Sequence, residues 1–156
     1  AAVTRLTISS TGLLSVAANG SAAAPAYAFD NNISGMFTIG GGSFQGSLAF
    51  STQSTERCRI TNDGVFNSFK GANVASAAAI TPTGNIFHVT GTTNITSITS
   101  TLIMAGTVIT IIFDDVLTFT DGSNLVLAGN FVTTANDAIT LVFDGTNWYE
   151  LARSVN

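Results

Sequence analysis

Charged residues are scarce in this sequence. Five Lys or Arg and nine Asp or Glu make up 9% of its 156 residues, against about 25% in an ordinary soluble domain. No charged residue lies between Lys70 and Asp114. Disordered chains combine high charge with low hydrophobicity, so a hydrophobic fraction of 46% predicts a folded chain. A surface with so little charge protects poorly against association. We therefore expect the chain to associate with itself or to belong to a larger particle.

Basic residues are also few, and none lies between Gly71 and Ala152. Binding to nucleic acid depends on clustered basic side chains, and the net charge is −4, so we expect no nucleic-acid partner. The longest apolar run, Leu102 to Phe113, is far shorter than the roughly 20 residues of a membrane span. It predicts a buried strand pair and no membrane insertion.

The chain has one cysteine, Cys58, and therefore no internal disulfide. Cysteine usage says nothing here about the compartment. No charged segment followed by an apolar stretch and a cleavage pattern stands at the start, so we expect no signal peptide. We interpret the sequence as a fragment or a processed product, in which any anchoring part would lie upstream.

A repeated strand pattern dominates the C-terminal part of the sequence. Residues 109–115 (ITIIFDD) recur as residues 139–145 (ITLVFDG), 30 positions later. Alternate residues of each copy are large and apolar, as expected for one buried face of a strand. The opposite face is also partly apolar, at Val108, Ile112 and Val142. We therefore predict stacked strand units that cannot close a core alone and whose second face is covered by other copies of the chain.

A second repeat relates residues 5–13 to residues 57–65 at an offset of 52. Arg, Ile and Gly recur at matching positions, and Asp63-Gly64 is a strong hairpin signal because glycine tolerates positive φ. Strand patterns separated by turns at spacings of about 8–12 residues predict an all-β chain. Helix is expected to be nearly absent.

The composition changes over residues 67–79 (NSFKGANVASAAA), where the alanines suit a short helix or an extended connector. We place the division of the chain there. The predicted organisation is a first module at 1–67, a connector at 68–80 and a second module at 81–156.

Four segments of the first module resemble a repeat of bacteriophage tail fibre proteins: APAYAFD (24–30), SGMF (34–37), LAFST (48–52) and ERCRITNDG (56–64). Cys58 and Phe37 depart from the usual residues of that repeat. The second module resembles another module of phage fibres and phage structural proteins, which closes on Asp-Gly-x-x-Trp-x-Glu-x-x-Arg. The residues that match this closing motif are Asp144, Gly145, Trp148, Glu150 and Arg153.

The resemblance implies an all-β fold of short-stranded, repeat-like modules, intertwined in an elongated homotrimer. The modules would be β-prisms, triple-stranded β-helices or small β-sandwiches. It implies a fibre segment on the extracellular phage particle, with other tail or baseplate proteins and a host surface glycan or outer-membrane receptor as partners. Two alternatives stay open. One is a glycan-degrading tailspike with carboxylates that meet between subunits, and the other is a capsid or tail decoration protein.

The residues suited to catalysis or metal binding are few. His88 is the only histidine, and packing against a strand face is the interpretation we favour over catalysis or a metal site on a three-fold axis. Glycosidases need two carboxylates about 5–10 Å apart. Asp114 and Asp115 are adjacent and suit a turn, and Glu56 and Glu150 have arginines nearby and suit surface ion pairs. We predict no catalytic residue, no metal and no cofactor.

Receptor contact is expected on loops held by a rigid scaffold. Trp148 and Tyr149 are a possible platform for sugar rings, but we favour packing of Trp148 on the last repeat. The loop residues predicted to contact a receptor are Gly41, Ser43, Gln45, Asp121, Ser123 and Asn124.

Overall fold

The described part of the chain consists of β-strands, turns and loops. The computed structural model describes residues 6–8, 14–16, 20–21, 23, 27–30, 34–39 and 46–156. No helix occurs in these residues, which confirms the predicted all-β class for them, and none of them forms a helical segment able to cross a membrane. The chain divides into two compact units, Ala1–Ser68 and Phe69–Asn156.

The first unit is built of antiparallel hairpins. Strands β1 and β2 form a two-stranded sheet, and β3 to β7 form a five-stranded sheet in which each strand pairs with the next. The strands are β1 (Leu6–Ile8), β2 (Leu14–Val16), β3 (Tyr27–Asp30), β4 (Ser34–Thr38), β5 (Leu48–Thr52), β6 (Thr55–Ile60) and β7 (Phe66–Ser68).

Two of these hairpins pair in the same register. Leu6 opposes Val16 in the β1–β2 hairpin, and Cys58 opposes Ser68 in the β6–β7 hairpin. Cys58 and Ser68 lie 52 positions after Leu6 and Val16, respectively. The described strands of the predicted repeat therefore form equivalent hairpins. Gly64 turns the second hairpin at a φ of +80°, as the sequence predicts. Arg5, Gly12 and Leu13, which belong to the first copy, lie outside the described residues.

The five-stranded sheet buries one face and exposes apolar residues on the other. Phe37 and Ala49 are buried opposite one another. On the other face Leu48 opposes Ile60, which opposes Phe66, and these side chains are 37%, 41% and 65% exposed. We call this surface the first apolar face. It is formed by Met36, Leu48, Phe50, Cys58, Ile60 and Phe66.

The second unit starts with parallel strand pairs, and its last two long strands pair antiparallel. Parallel pairs join β8 to β10, β10 to β12 and β9 to β11, and the main sheet has the order β14-β17-β16-β12-β10-β8. The strands are β8 (Val74–Ala75), β9 (Ala79–Ile80), β10 (Ile86–Thr90), β11 (Ser97–Ile98), β12 (Val108–Phe113), β13 (Thr118–Phe119), β14 (Leu125–Val126), β15 (Phe131–Val132), β16 (Ala138–Phe143) and β17 (Trp148–Ser154).

We predicted residues 68–80 as a connector, and residues 69–80 of that segment belong to the second unit. Its strands β8 and β9 pair with β10 and β11, and Ile80 is buried in the core. The division between the units falls just before Phe69.

The two copies of the 30-residue repeat are antiparallel neighbours. Thr110 of β12 opposes its own equivalent, Thr140 of β16, and their hydroxyl oxygens lie 3.1 Å apart. The large apolar residues predicted for the inner faces of both copies are buried in one core with Phe87, Phe119 and Trp148. The inner faces of the two copies are therefore closed together within a single chain, and covering of the opposite face by other copies stays a prediction.

The outer face of the same sheet is apolar and partly exposed. Val126, Tyr149, Val142 and Val108 oppose one another in a row across β14, β17, β16 and β12. The exposed fractions of Val126, Tyr149 and Val108 are 43%, 39% and 42%. We call this surface the second apolar face. It is formed by Ile86, Val108, Ile112, Val126, Val142 and Tyr149.

The longest apolar run does not form a buried strand pair over its whole length. Only Val108–Phe113 is a strand. Leu102 and Met104 lie in a loop and are 98% and 80% exposed. The prediction was wrong for residues 102–107, because residues 100–103 and 104–107 form two consecutive turns before β12 begins.

Phe113→Ala should destabilise the second unit by about 3–5 kcal/mol, because it removes a fully buried ring from the core and leaves a cavity. Its ring lies 5.8 Å from those of Phe119 and Phe131, centroid to centroid. Urea unfolding followed by the fluorescence of Trp148, the only tryptophan, measures the change. The control Val132→Ala, at a side chain that is 65% exposed, should stay within about 0.5 kcal/mol. An equal effect of both variants would contradict the described core.

Candidate functional site

The closing motif begins with a turn between β16 and β17 that Asp144 holds. Its carboxylate accepts hydrogen bonds from the backbone N–H groups of Thr146 and Asn147, both at 2.7 Å. These bonds, that from Asn147 foremost, hold the pKa of Asp144 below its usual value. The Asp144 carboxylate therefore stabilises the turn by accepting two of its backbone N–H groups.

Trp148 is fully buried. Its indole Nε1–H donates to the hydroxyl of Ser100 at 2.9 Å, and its ring lies 4.9 Å from that of Phe143. Packing of Trp148 on the last repeat is therefore confirmed, and its ring offers no platform for a sugar. Tyr149 points the other way and belongs to the second apolar face.

Glu150 and Arg153 form an ion pair that a regular strand would forbid. Side chains three positions apart on a strand point to opposite faces. Here β17 carries a bulge at Leu151, because Glu150 opposes Leu141 while Ala152 opposes Thr140. The extra residue turns Glu150 and Arg153 to the same face. Arg153 Nε then donates to Glu150 Oε1 at 2.5 Å.

The pair is tied to the neighbouring loop. Glu150 Oε2 accepts the N–H of Ala128 at 2.9 Å, and Arg153 donates to the carbonyl of Gly129 at 3.1 Å. The guanidinium lies 4.7 Å from the centre of the Phe131 ring, within cation–π range. The hydrogen bond from Arg153 lowers the pKa of Glu150, and the reciprocal bond raises the pKa of Arg153. The closing motif thus fastens β17 to the loop between β14 and β15.

The same device occurs in the first unit. Arg59 donates to both oxygens of Glu56, at 2.5 and 2.7 Å, and a bulge at Arg57 again separates the two residues. Only 11% of the Arg59 side chain and 17% of the Glu56 side chain are exposed. The predicted ion pairs of Glu56 and Glu150 therefore exist, but they are largely buried and not on the open surface.

His88 is paired with a carboxylate. Its Nδ1 lies 2.5 Å from Asp114 Oδ1, and both side chains are about one-third exposed. His88 sits beside Ile112 in the parallel β10–β12 pair, so Asp114, two positions further on, falls on the same side. Asp115 accepts the N–H of Gly91 at 2.8 Å. Each of these carboxylates thus has a local partner that holds the end of β12 to β10.

The predicted receptor residues fall into two groups. Gly41, Ser43 and Gln45 lie outside the described residues. Asp121 and Ser123 are exposed, and Asp121 Oδ1 accepts the N–H of Leu127 at 2.8 Å. The side-chain amide of Asn124 hydrogen-bonds both backbone groups of Ile98, so it holds the residue before β14 to β11. Receptor contact by these loops stays a prediction. In the described part of the chain no three His, Cys, Asp or Glu side chains come together as a metal site.

Glu150→Gln should destabilise the second unit by about 1–2 kcal/mol. It weakens a charge-assisted bond and leaves Arg153 without its counter-charge, although partial exposure reduces the loss. Urea unfolding followed by Trp148 fluorescence measures this. Asp63→Asn makes the same charge change in an exposed turn of the first unit and should leave the transition in place. A Glu150→Gln midpoint equal to the wild-type midpoint would contradict the role of the pair.

The stability of the second unit should fall as the pH drops below about 4.5. The pKa of Glu150 is below its usual 4.5 in the folded chain, so its contribution is complete above that value and is lost as the pH falls through the lowered pKa. Trp148 fluorescence in urea at a series of pH values tests this. Glu150→Gln should show a shallower fall, and a parallel pH profile would contradict the assignment.

Comparison with known proteins identifies no relative. No protein-family model, curated protein or solved structure matches the chain.

Proposed function

We propose that this chain is a non-catalytic segment of a bacteriophage tail fibre, assembled as a homotrimer on the extracellular phage particle. In this role it extends the fibre, contacts the host surface, or does both. One observation carries the proposal. In each unit a sheet buries one face within the described chain and leaves an apolar face partly exposed.

Exposed apolar surface of this kind marks an interaction site. Single exposed hydrophobic residues are ordinary, but contiguous patches point to a partner. In the first apolar face Leu48, Ile60 and Phe66 are in register on three adjacent strands. Fully burying one such side chain contributes about 1.5–3 kcal/mol. Covering the exposed part of several of them together would therefore favour association strongly.

Copies of the same chain are suitable partners for these faces. None of the residues that form the two apolar faces is charged, although Asp114, paired with His88, lies on the same side of the sheet as the second apolar face, so charge repulsion between identical copies is limited there. A cyclic assembly also presents the same patches to every neighbour. The number of three copies comes from the resemblance to phage fibre modules.

The residues that carry that resemblance have clear roles in the sheets. The Glu-x-x-Arg spacing recurs at Glu56 and at Glu150, each time across a bulge. A device used twice in one chain suits a fibre assembled from modules. We propose that the loop with Asp121 and Ser123 contacts a host glycan or outer-membrane receptor, and that other tail or baseplate proteins join the ends of the segment.

Light scattering and native mass spectrometry at micromolar concentration should show three copies of the chain, because the two apolar faces are covered only on association. A well-folded monomer at that concentration would contradict the proposal. Release of oligosaccharide from host surface polysaccharide would contradict the non-catalytic role.

Val108→Asp should abolish trimer formation and leave the fold of the single chain intact. Val108 lies in the second apolar face and is 42% exposed, so the carboxylate stays hydrated in a monomer but is buried without a partner in the assembly. Size-exclusion chromatography with light scattering reads the mass, and Trp148 fluorescence reads the fold. The control Val155→Asp, outside that face and 70% exposed, should remain trimeric. A trimer of Val108→Asp as stable as wild type would exclude this face as the interface.

A further inference from the structure

Three Asp-Gly pairs occur in the chain, at Asp63, Asp121 and Asp144. In such a pair the backbone nitrogen of the glycine can attack the side-chain carboxyl carbon of the aspartate, because glycine has no Cβ to hinder the approach. A C–N bond forms, one carboxyl oxygen leaves as water, and a succinimide ring results. Water then adds to either ring carbonyl, which restores aspartate or gives isoaspartate, whose main chain runs through the side-chain carbon. All three aspartates are exposed, so exposure does not distinguish them.

Two of the three carboxylates are held by backbone N–H groups. Asp121 Oδ1 accepts the N–H of Leu127 at 2.8 Å. Asp144 Oδ1 accepts the N–H groups of Asn147 and Thr146, both at 2.7 Å, and these bonds lower the pKa of Asp144 and keep it ionised. An ionised, hydrogen-bonded carboxylate is a poor electrophile, and its bonds must break before its carbon can turn towards the glycine nitrogen. Both sites are therefore protected from the reaction.

The carboxylate of Asp63 is not held in this way. It has no hydrogen-bond or ion-pair partner in the described part of the chain. Asp63 lies in the turn between β6 and β7, where the N–H of Gly64 donates to the carbonyl of Thr61 at 3.0 Å. That bond must open before the nitrogen can attack. The same holds at Gly122, which donates to the carbonyl of Leu125 at 2.9 Å, so the carboxylate, and not the nitrogen, separates the first Asp-Gly pair from the second.

We propose that Asp63 is the position at which the folded chain forms isoaspartate, and that backbone hydrogen bonds protect the other two Asp-Gly pairs. The reaction needs no enzyme, oxidant or cofactor, because ring closure releases one water and ring opening takes one up. The place in the fold favours it. The turn leads into β7, the last strand of its sheet, and local opening at such an edge costs less than the unfolding of a core.

Isoaspartate at this position alters the hairpin around it. The N–H of Thr61 donates to the carbonyl of Val65 at 2.9 Å, and the N–H of Val65 donates to the hydroxyl of Thr61 at 3.0 Å. Isoaspartate adds one carbon to the main chain between these two residues, so both bonds lose their geometry. They hold the start of β7, where Phe66 opposes Ile60 on the first apolar face. Amide hydrogen exchange of β7 should therefore be faster in the isoaspartate-containing fraction, and unchanged exchange would contradict this loosening.

Incubation of the folded full chain for several weeks at neutral pH tests the proposal. Isoaspartate has the mass of aspartate, so peptides from a protease digest are separated by chromatography and identified by electron-transfer fragmentation. Isoaspartate should accumulate at Asp63 about tenfold faster or more than at Asp121 or Asp144, because a hydrogen bond to a carboxylate that must first break slows a reaction by about that factor. The Asn-Gly pair at Asn19, a residue outside the described ones, is told apart because deamidation changes the mass.

The same chain unfolded in guanidinium chloride is the control. Its carboxylates are released from their hydrogen bonds, so the three Asp-Gly pairs should form isoaspartate at similar rates. In Asp63→Glu the longer side chain would have to close a six-membered ring, so the product at this position should disappear while the other two sites stay unchanged. A folded chain in which Asp121 or Asp144 reacts as fast as Asp63 overturns the proposal. So does a folded chain in which Asp63 stays unmodified while the unfolded chain reacts, because the hairpin itself would then be protective.

Discussion

A β-sheet has two faces, and in each unit of this chain one face remains partly exposed. In the second unit Ile109, Ile111 and Phe113 are buried in a core that one chain supplies. On the reverse of the same strand Val108 remains 42% exposed. Apolar residues on a solvated face give up the free energy that burial provides. The proposed association follows from that constraint, because other copies bring matching apolar surfaces, and the number of three copies comes from the resemblance to phage fibre modules.

The low charge of the chain has a structural counterpart in the roles of its polar side chains. Asn124 bonds both backbone groups of Ile98, Asn85 donates to the carbonyl of Val108, and Asn94 accepts the N–H of Thr118. These side-chain amides satisfy backbone hydrogen-bonding groups near the ends of strands, where the chain passes from one strand to the next. Two of the ion pairs, Glu56 with Arg59 and Glu150 with Arg153, lie at strand bulges and hold these irregular strands in place.

Period-two alternation was sufficient to predict the inner faces of β12 and β16, since large apolar residues recur at every second position. Glycine chemistry was sufficient to place the hairpin at Asp63 and Gly64. Neither signal contains the pairing partner of a strand. The antiparallel pairing of β12 with β16 and the parallel pairing of β10 with β12 arise from tertiary packing.

The site-level features that the sequence left hidden depend on that pairing. His88 and Asp114 are 26 positions apart, and only the parallel register brings their side chains to 2.5 Å. The ion pair of Glu150 was predicted from the nearby arginine, but the bulge at Leu151 that turns Glu150 and Arg153 to the same face, and the burial of the pair, were not. Leu102 read as part of a buried strand because it opens a long apolar run. In each case the sequence shows the type of residue but not the direction in which its side chain points.

The central claim is that other copies of the chain cover the exposed apolar faces, and Cys58 tests it most directly. This residue is the only cysteine, lies on the first apolar face and is partly exposed within one chain. Its rate of reaction with a water-soluble maleimide can be followed by mass spectrometry at several protein concentrations. The account predicts slow labelling at high concentration and faster labelling on dilution, as the copies separate. Equally fast labelling at every concentration would contradict it.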